Sequence, residues 1–231
     1  MKHNIQSLRK QAGFTLVEIA IVLVIIGLLL GGVLKGQEMI ENARIKSVIG
    51  DMNGVAAAYN SYVDRYRAIP GDELPATMNA RGWAGTIGGN ANGVLGTAAN
   101  VTFNNAPAEQ GAMWRALRAA GLTSGDPAAT AVRANLPAAG TGGLIGVSVG
   151  AYGMNGPTIC VSGLTAKQAA GIDAAIDGPV AAPGFGNIQG TVRGESSTAA
   201  PPLQPTPNVS AIGKAYDENV ANTTWTLCRS L

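Results

Sequence analysis

The residues with the clearest chemical role lie near the start of the chain, where one carboxylate stands in an apolar segment. Glu18 is the only charged residue between Gly13 and Lys35, and the apolar run continues to Leu34. That run is about 20 residues long, which is enough to cross a bilayer as a helix. A carboxylate inside a membrane helix costs about 2.5–3.5 kcal/mol on insertion scales, so it normally has a partner. The chemistry expected of Glu18 is therefore charge pairing in an apolar environment.

A basic, polar stretch precedes the apolar run, and two ordinary explanations of that order have to be weighed. Residues 1–13 carry Lys2, Arg9 and Lys10, as the n-region of a secretory signal peptide would. Against a signal peptide, the apolar run is too long, no A-x-A-like cleavage site follows it, and Glu18 places a charge where an h-region tolerates it poorly. A single-pass membrane anchor has the same basic flank and apolar helix, so that alternative stays open.

Residues 13–18 read Gly-Phe-Thr-Leu-Val-Glu, and at this point the chain resembles the type IV pilin family, which includes the pseudopilins of type II secretion. That family is marked by G-F-T-L-x-E and is cut after the glycine by a membrane-embedded prepilin peptidase. The resemblance implies cleavage between Gly13 and Phe14, N-methylation of Phe14, and pairing of Glu18 with the Phe14 amine of a neighbouring subunit. Its implied partners are the prepilin peptidase/N-methylase, identical or related pilin subunits and an assembly platform in the inner membrane.

The distribution of charge predicts an orientation in the membrane and argues against nucleic acid as a partner. Positive charge before the span favours a cytoplasmic N-terminal end and export of the rest. The chain has 16 Lys and Arg against 14 Asp and Glu, and removal of the three basic residues in 1–13 leaves 13 against 14. The body is therefore close to neutral, and bulk charge gives no case for nucleic-acid binding.

One long helix is predicted to hold the apolar segment and to continue beyond it. From Val48 to Tyr66, apolar residues recur at alternating steps of four and three, which places them on one helix face. The helix should run from near Phe14 to near Arg67, because residues 69–72 (Ile-Pro-Gly-Asp) end it. We expect four segments: a basic leader (1–13), a transmembrane and filament-core half-helix (14–34), an amphipathic half-helix (35–69) and a globular head domain (70–231).

The head domain is predicted to combine short helices with a small antiparallel sheet, so the expected fold class is α+β and pilin-like. Helices are predicted over 109–120, with one apolar side and Gly121 as the C-cap, and over 166–176, with Thr165 as the N-cap. Residues 196–207, rich in Ser and Pro, should form an exposed loop. Short β-prone runs between Gly, Asn and Pro predict strands at 144–149, 158–161, 188–192 and 224–227.

Patterns that suggest an enzyme or a metal site are weak. Residues 146–150 fit G-x-S-x-G, but a hydrolase triad needs a histidine base, and the only histidine is His3, in the leader. Asp173 and Asp177 share a helix face and could contribute to a calcium site, yet calcium takes about 6–8 oxygen ligands. Solvated carboxylates, or a turn begun by Asp177, are the simpler interpretation. We therefore predict no catalytic residue, no metal and no cofactor.

The two cysteines predict a disulfide bond. Cys160 and Cys228 are the only cysteines, and an even number in an exported chain favours pairing. A cross-link over so long a loop would stabilise the fold by about 4 kcal/mol on the entropic model. It would also attach the C-terminal strand to the head. Two free thiols are the alternative.

The resemblance and the charge pattern together predict a structural protein that is not an enzyme. The predicted function is a subunit of a type IV pilus or pilus-like filament, made as a prepilin, cleaved after Gly13 and polymerised through its N-terminal helix. Two alternatives stay open: a type II secretion pseudopilin, and a single-pass membrane-anchored periplasmic binding protein that does not polymerise. The expected location is the bacterial inner membrane with the head in the periplasm, and then a pilus or pseudopilus, which could reach the cell surface.

Overall fold

The computed structural model describes the chain from Gly13 onward, with gaps, and its elements give an α+β architecture. Residues 1–12 of the expected leader, with His3, lie outside the described residues. The helices are α1 (Leu16–Tyr66), α2 (Pro75–Ala80), α3 (Glu109–Ala119) and α4 (Ala166–Ile176). The strands are β1 (Ile145–Val149), β2 (Pro157–Leu164), β3 (Val192–Ser197) and β4 (Thr224–Ser230). The described residues are 13–83, 88–96, 98–104, 109–129, 135–178, 188, 190–198, 202–207, 216 and 223–231.

Helix α1 is continuous over 51 residues, which confirms the predicted long helix. The chain divides into two compact units, Met1–Glu41 and Asn42–Leu231. In the second unit the predicted stripe is the buried face of α1, and Tyr66 is only partly buried at its end. The helix ends before the Ile-Pro-Gly-Asp turn, and Arg67 already has a positive φ of 54°. The fully or nearly fully buried members of the stripe are Val48, Met52, Val55, Tyr59 and Tyr62.

The head contains a four-stranded antiparallel sheet in the order β1-β2-β4-β3, which confirms the pilin-like α+β class. The predicted strands 144–149, 158–161 and 224–227 are present, with β2 and β4 longer than expected. The strand predicted at 188–192 is wrong: β3 begins at Val192 and runs through polar residues to Ser197. It begins there because pairing with β4 starts at Val192, opposite Arg229. Cross-strand pairing, and not apolar content, stabilises this strand.

Helix α3 is confirmed, but its predicted one-sided burial is wrong. Every residue from Gln110 to Leu117 is buried, so the helix is enclosed by the head. One cause is the turn after α1: a Cβ at Gly71 would lie 2.4 Å from the Glu109 carbonyl oxygen, so only glycine lets the turn pack on α3. Gly121 caps the helix as predicted, with φ of 71° and a hydrogen bond from the Leu122 amide to the Leu117 carbonyl.

Helix α4 begins with the predicted cap. The Thr165 hydroxyl accepts a hydrogen bond from the Gln168 amide at 3.2 Å, and the Gln168 side chain accepts one from the Thr165 amide at 3.0 Å. These two reciprocal bonds form a capping box, which satisfies two of the amides that a helix start leaves unpaired.

The Pro-rich stretch 196–207 differs from its prediction as an exposed loop. Its first two residues belong to β3, and the described part from 202 to 206 is half-buried or buried. The Gln204 side chain accepts a hydrogen bond from the Phe103 amide at 2.8 Å, and the Thr206 carbonyl accepts one from the Tyr152 amide at 2.7 Å. The Leu203 carbonyl accepts one from the Thr226 hydroxyl at 2.8 Å. These long-range bonds hold the stretch against the head.

Candidate functional site

The candidate processing site lies just before α1, in backbone that has no regular structure. Gly13 and Phe14 precede the helix, and both are exposed. The Phe14 side chain is 83% exposed, and a Cβ at Gly13 would meet no atom within 4 Å. A proteolytic enzyme needs an accessible stretch of backbone, which exposed chain outside secondary structure provides. The structure therefore leaves the predicted Gly13–Phe14 bond open to attack.

Glu18 has a partner within its own chain. Its carboxylate accepts hydrogen bonds from the Thr15 amide and the Thr15 hydroxyl, each at 2.8 Å. In return the Thr15 hydroxyl accepts a bond from the Glu18 amide at 3.3 Å. This reciprocal arrangement is a capping box at the start of α1. We did not predict a role for Thr15, although the T-x-x-E spacing of residues 15–18 is the sequence signature of this box.

The capping box fixes where the carboxylate stands without neutralising it. Two donors from Thr15 satisfy part of its hydrogen-bonding capacity, but Thr15 carries no charge. An ionised Glu18 in an apolar environment would therefore still need a cation. The predicted pairing with the Phe14 amine of another subunit stays a prediction, which a single chain does not test.

The first part of α1 presents an apolar surface to its surroundings. From Phe14 to Leu34 every side chain of the segment is exposed. Helix α1 is long and apolar enough to cross a membrane by length and composition. The first charges after this band are Lys35 and Glu38, whose side chains form an exposed ion pair with an N–O distance of 3.0 Å. An apolar helical surface of this length is stable in a bilayer or against other helices.

Strand pairing in the sheet places the two cysteines opposite each other. Cys160 on β2 lies directly opposite Cys228 on β4, and the two form a disulfide across 68 residues of chain. Both residues are fully buried. The bond therefore links the last strand of the chain to the middle of the sheet, as the sequence predicts.

The G-x-S-x-G pattern does not form a nucleophile elbow. Ser148 is buried on β1, where its hydroxyl lies 3.2 Å from the hydroxyl of Thr158 on the neighbouring strand. An elbow instead exposes its serine at a sharp turn between a strand and a helix. The histidine that a triad would need is absent from the part of the chain that the structure describes. The pattern is a paired strand.

Asp173 is not the solvated helix carboxylate that the sequence predicts, whereas Asp177 is exposed at the end of α4. Asp173 is 1% exposed and accepts a hydrogen bond from the Tyr216 hydroxyl at 2.7 Å. Asp177 follows α4 and accepts hydrogen bonds from the Val192 amide, at 2.7 Å, and from the Thr191 hydroxyl. Both carboxylates therefore attach later parts of the chain to α4. Within the described residues, no group of three or more His, Cys, Asp or Glu side chains could hold a metal ion.

Burial gives Asp173 an unusual titration. Desolvation raises its pKa to about 6, the hydrogen bond from Tyr216 opposes that rise, and the nearby charge of Asp177 adds to it. The hydroxyl pKa of Tyr216 is raised as well, first by burial and then by its bond to Asp173.

A charged cluster that the sequence analysis missed fastens the end of α1 to the head. The Glu73 carboxylate is 6% exposed, and both terminal guanidinium nitrogens of Arg81, Nη1 and Nη2, donate to it, Nη2 at 2.9 Å. The Tyr62 hydroxyl donates to the same carboxylate at 3.1 Å. The Arg81 guanidinium also lies 4.6 Å from the centre of the Tyr66 ring. No short sequence pattern marks this cluster, because its members come together only at the turn.

Comparison with known proteins bears on the N-terminal segment. A family model described as the prokaryotic N-terminal methylation motif matches residues 8–34. No curated protein and no solved structure matches the chain. The segment with the exposed Gly13–Phe14 bond and the Thr15–Glu18 box therefore carries the motif of type IV pilins and pseudopilins. The motif implies processing by a prepilin peptidase and assembly into pilus-like filaments, and the apolar helix fits a single-pass inner-membrane anchor.

Proposed function

We propose that this protein is a structural subunit of a type IV pilus or pilus-like filament and has no catalytic activity. The observation that carries the proposal is the match of residues 8–34 to the N-terminal methylation motif, on a helix whose apolar surface is exposed from Phe14 to Leu34. We assign residues 1–13 to a leader, 14–34 to the membrane and filament-core half-helix, 35–69 to the amphipathic half-helix and 70–231 to the head.

Maturation would begin with hydrolysis of the Gly13–Phe14 peptide bond by the prepilin peptidase. Support comes from the exposed, non-helical backbone at that bond. Hydrolysis would free the amine of Phe14, which the same enzyme would methylate. A methylated amine stays cationic, and it would stand one turn from Glu18. The new charge would therefore be available to a carboxylate in an apolar environment.

Assembly would bring the apolar helices of many subunits together. The exposed apolar surface of one α1 is stable in the inner membrane and would remain stable when bundled with its copies. Within the bundle, Glu18 of one subunit would pair with the Phe14 amine of the next. A low dielectric strengthens such a pair and makes a lone charge costly, so the pair would favour correct register.

The head would fold in the periplasm before assembly. A buried disulfide between Cys160 and Cys228 supports an oxidising compartment, where such bonds form and persist. The basic residues before the span support a cytoplasmic leader and an exported head. Assembled filaments could then reach the cell surface. Pseudopilins of type II secretion carry the same motif, and a secretion operon rather than a pilus operon around the gene would indicate that form of the filament.

The proposal is tested by shearing filaments from cells that express the chain and comparing the fibre and membrane pools. Wild-type protein should appear in the fibres, whereas Glu18→Ala should remain in the membrane pool, at least about tenfold depleted from fibres because a buried charge pair is broken. Glu38→Ala is the matched control, because its carboxylate is exposed and pairs with Lys35 on the same helix.

Two outcomes of that experiment have different meanings. Absence of the wild-type chain from sheared fibres and from periplasmic filaments would overturn the proposed function and favour a plain membrane anchor. Fibres that contain Glu18→Ala at the level of Glu38→Ala would leave the filament in place but remove Glu18 from its assembly.

A further inference from the structure

Beyond the apolar first half of α1, large apolar side chains are exposed in only two places among the described residues. One place is on α1, where Met39 is 65% and Ile40 is 57% exposed. The other is on the head, where Leu74 is 46% and Val94 is 54% exposed. Single exposed apolar residues are common on soluble proteins, so the surroundings of each pair decide whether it forms a contact surface.

Leu74 and Val94 come from two segments that hydrogen bonds hold side by side. The Asp72 carboxylate accepts a bond from the Gly93 amide at 2.8 Å, and the Asp72 carbonyl accepts one from the Ala91 amide at 2.6 Å. Leu74 stands two residues after Asp72, and Val94 directly follows Gly93. The two side chains therefore belong to the same part of the head surface.

This part of the head is held in place and carries no charge. Ala91 is kept at a φ of 57°, and a non-glycine residue in such a conformation is often found at a functional position. Leu95 is 1% exposed, so its burial anchors the loop beside the exposed Val94. Residues 74–77 and 90–94, named here the Leu74–Val94 surface, are all exposed and uncharged. Charged residues are depleted from the cores of protein interfaces, so this composition favours a protein partner.

Met39 and Ile40 extend the apolar surface of α1 past its first charges. They follow the exposed ion pair of Lys35 and Glu38, whose charges compensate each other on one helix. The first buried residue of α1 is Val48, further along the helix. Met39 and Ile40 are therefore apolar, adjacent to paired charges and uncovered in a single copy.

A filament gives these two surfaces a common partner. An open chain of identical subunits needs a heterologous contact, in which two different surfaces of one chain meet on neighbouring copies. We propose that Met39 and Ile40 of one copy pack on the Leu74–Val94 surface of a second copy in the filament. The contact would bury apolar side chains from both copies and would leave no charge of the Leu74–Val94 surface unpaired. It rests on the proposed filament function, and it adds a contact with the head to the bundling of the apolar half-helices.

Disulfide cross-linking in assembled filaments tests the contact directly. Two chains are expressed together, one with Ile40→Cys and the other, which carries an affinity tag, with Val94→Cys. The native cysteines are joined and buried, so the introduced thiols are the ones available for oxidation. Oxidation should give a dimer that contains both chains. The matched control replaces Val94→Cys by Ala174→Cys, at an exposed position of α4, and should give no such dimer above background.

Opposite charges test the same contact by compensation. Val94→Glu should lower incorporation into sheared fibres at least about tenfold, because it places an unpaired charge in an apolar contact. Ile40→Lys in the same chain should restore incorporation to within about threefold of wild type, since each copy supplies both surfaces. Ala174→Glu is the control and should assemble as wild type does. Thermal unfolding of Val94→Glu should match that of wild type, which separates a lost contact from a lost fold.

The outcomes separate this contact from the proposed function. Absence of the wild-type chain from sheared fibres and from periplasmic filaments would overturn the proposed function, and the contact with it. Wild-type fibres in which Ile40→Cys and Val94→Cys give no more dimer than the control would overturn the contact alone. So would a Val94→Glu chain that Ile40→Lys does not restore, because another partner would then cover the Leu74–Val94 surface.

Discussion

Replacement of the buried Asp173 by Asn should make the head more stable at neutral pH. Asp173 is 1% exposed, and burial raises the pKa of its carboxyl from an ordinary 3.8 to about 6. The folded state therefore binds this proton more tightly than the unfolded chain does. Its contribution to stability is complete below about pH 4 and is lost as the pH rises through 6. Asn is neutral throughout and still offers Tyr216 an oxygen acceptor.

The size of the gain in stability follows from the size of the pKa shift of Asp173. A rise of about two pKa units corresponds to about 3 kcal/mol at most, at about 1.36 kcal/mol per unit. For a chain of this size, about 1 kcal/mol moves the unfolding temperature by about 2–4 °C. At pH 7.5, Asp173→Asn should therefore unfold up to about 6–12 °C higher than wild type, and at pH 4 the two should unfold at nearly the same temperature.

The assay is thermal unfolding of the full chain in nonionic detergent, followed by circular dichroism between pH 4 and 8. The difference in unfolding temperature between variant and wild type isolates the contribution of Asp173. Burial also raises the pKa of Glu195, but that group titrates equally in both proteins, so its effect cancels. Asp64→Asn, at an exposed position on α1, is the control and should track wild type at every pH. A difference curve that is flat with pH, or a variant less stable than wild type at pH 7.5, would refute the titration described for Asp173.

Two further changes test the packing of the head. Glu73→Ala removes the acceptor of Arg81 and Tyr62 and leaves a partly buried cation. It should therefore lower the free energy of unfolding, measured in urea, by about 2–4 kcal/mol. A decrease under about 0.5 kcal/mol would contradict the role given to this cluster. Replacement of Cys160 and Cys228 together by Ala should lower stability by about 4 kcal/mol on the entropic model. An unchanged urea midpoint in that double variant would show that the disulfide does not constrain the unfolded chain.

Helices α1, α3 and α4 could be predicted from the sequence because their determinants are local, whereas the six-residue α2 was not predicted. The alternating stripe from Val48 to Tyr62 and the Ile-Pro-Gly-Asp turn define α1, and Thr165 with Gln168 defines the start of α4. The T-x-x-E spacing of the Thr15–Glu18 capping box is an equally local signal, although the sequence analysis does not use it. The disulfide followed from an even number of cysteines in a chain that is expected to be exported.

The features that escaped prediction depend on contacts between distant residues. Strand β3 is polar, and only its pairing with β4 makes it a strand. Asp173 is buried, and the hydrogen bond that its carboxylate accepts comes from Tyr216, 43 residues later. Helix α3 is buried on all sides in part because the turn at Gly71 can approach its backbone. In each case the partner is far along the chain, so no local pattern could indicate it.

The most direct test of the proposed function is the intact mass of the chain recovered from sheared filaments. The account predicts an N-terminus at Phe14 that carries one methyl group, because it takes the exposed Gly13–Phe14 bond as the processing site. The mature protein should also contain the Cys160–Cys228 disulfide. A filament or membrane fraction in which the chain begins at Met1, or is cut after Leu34, would contradict the assignment.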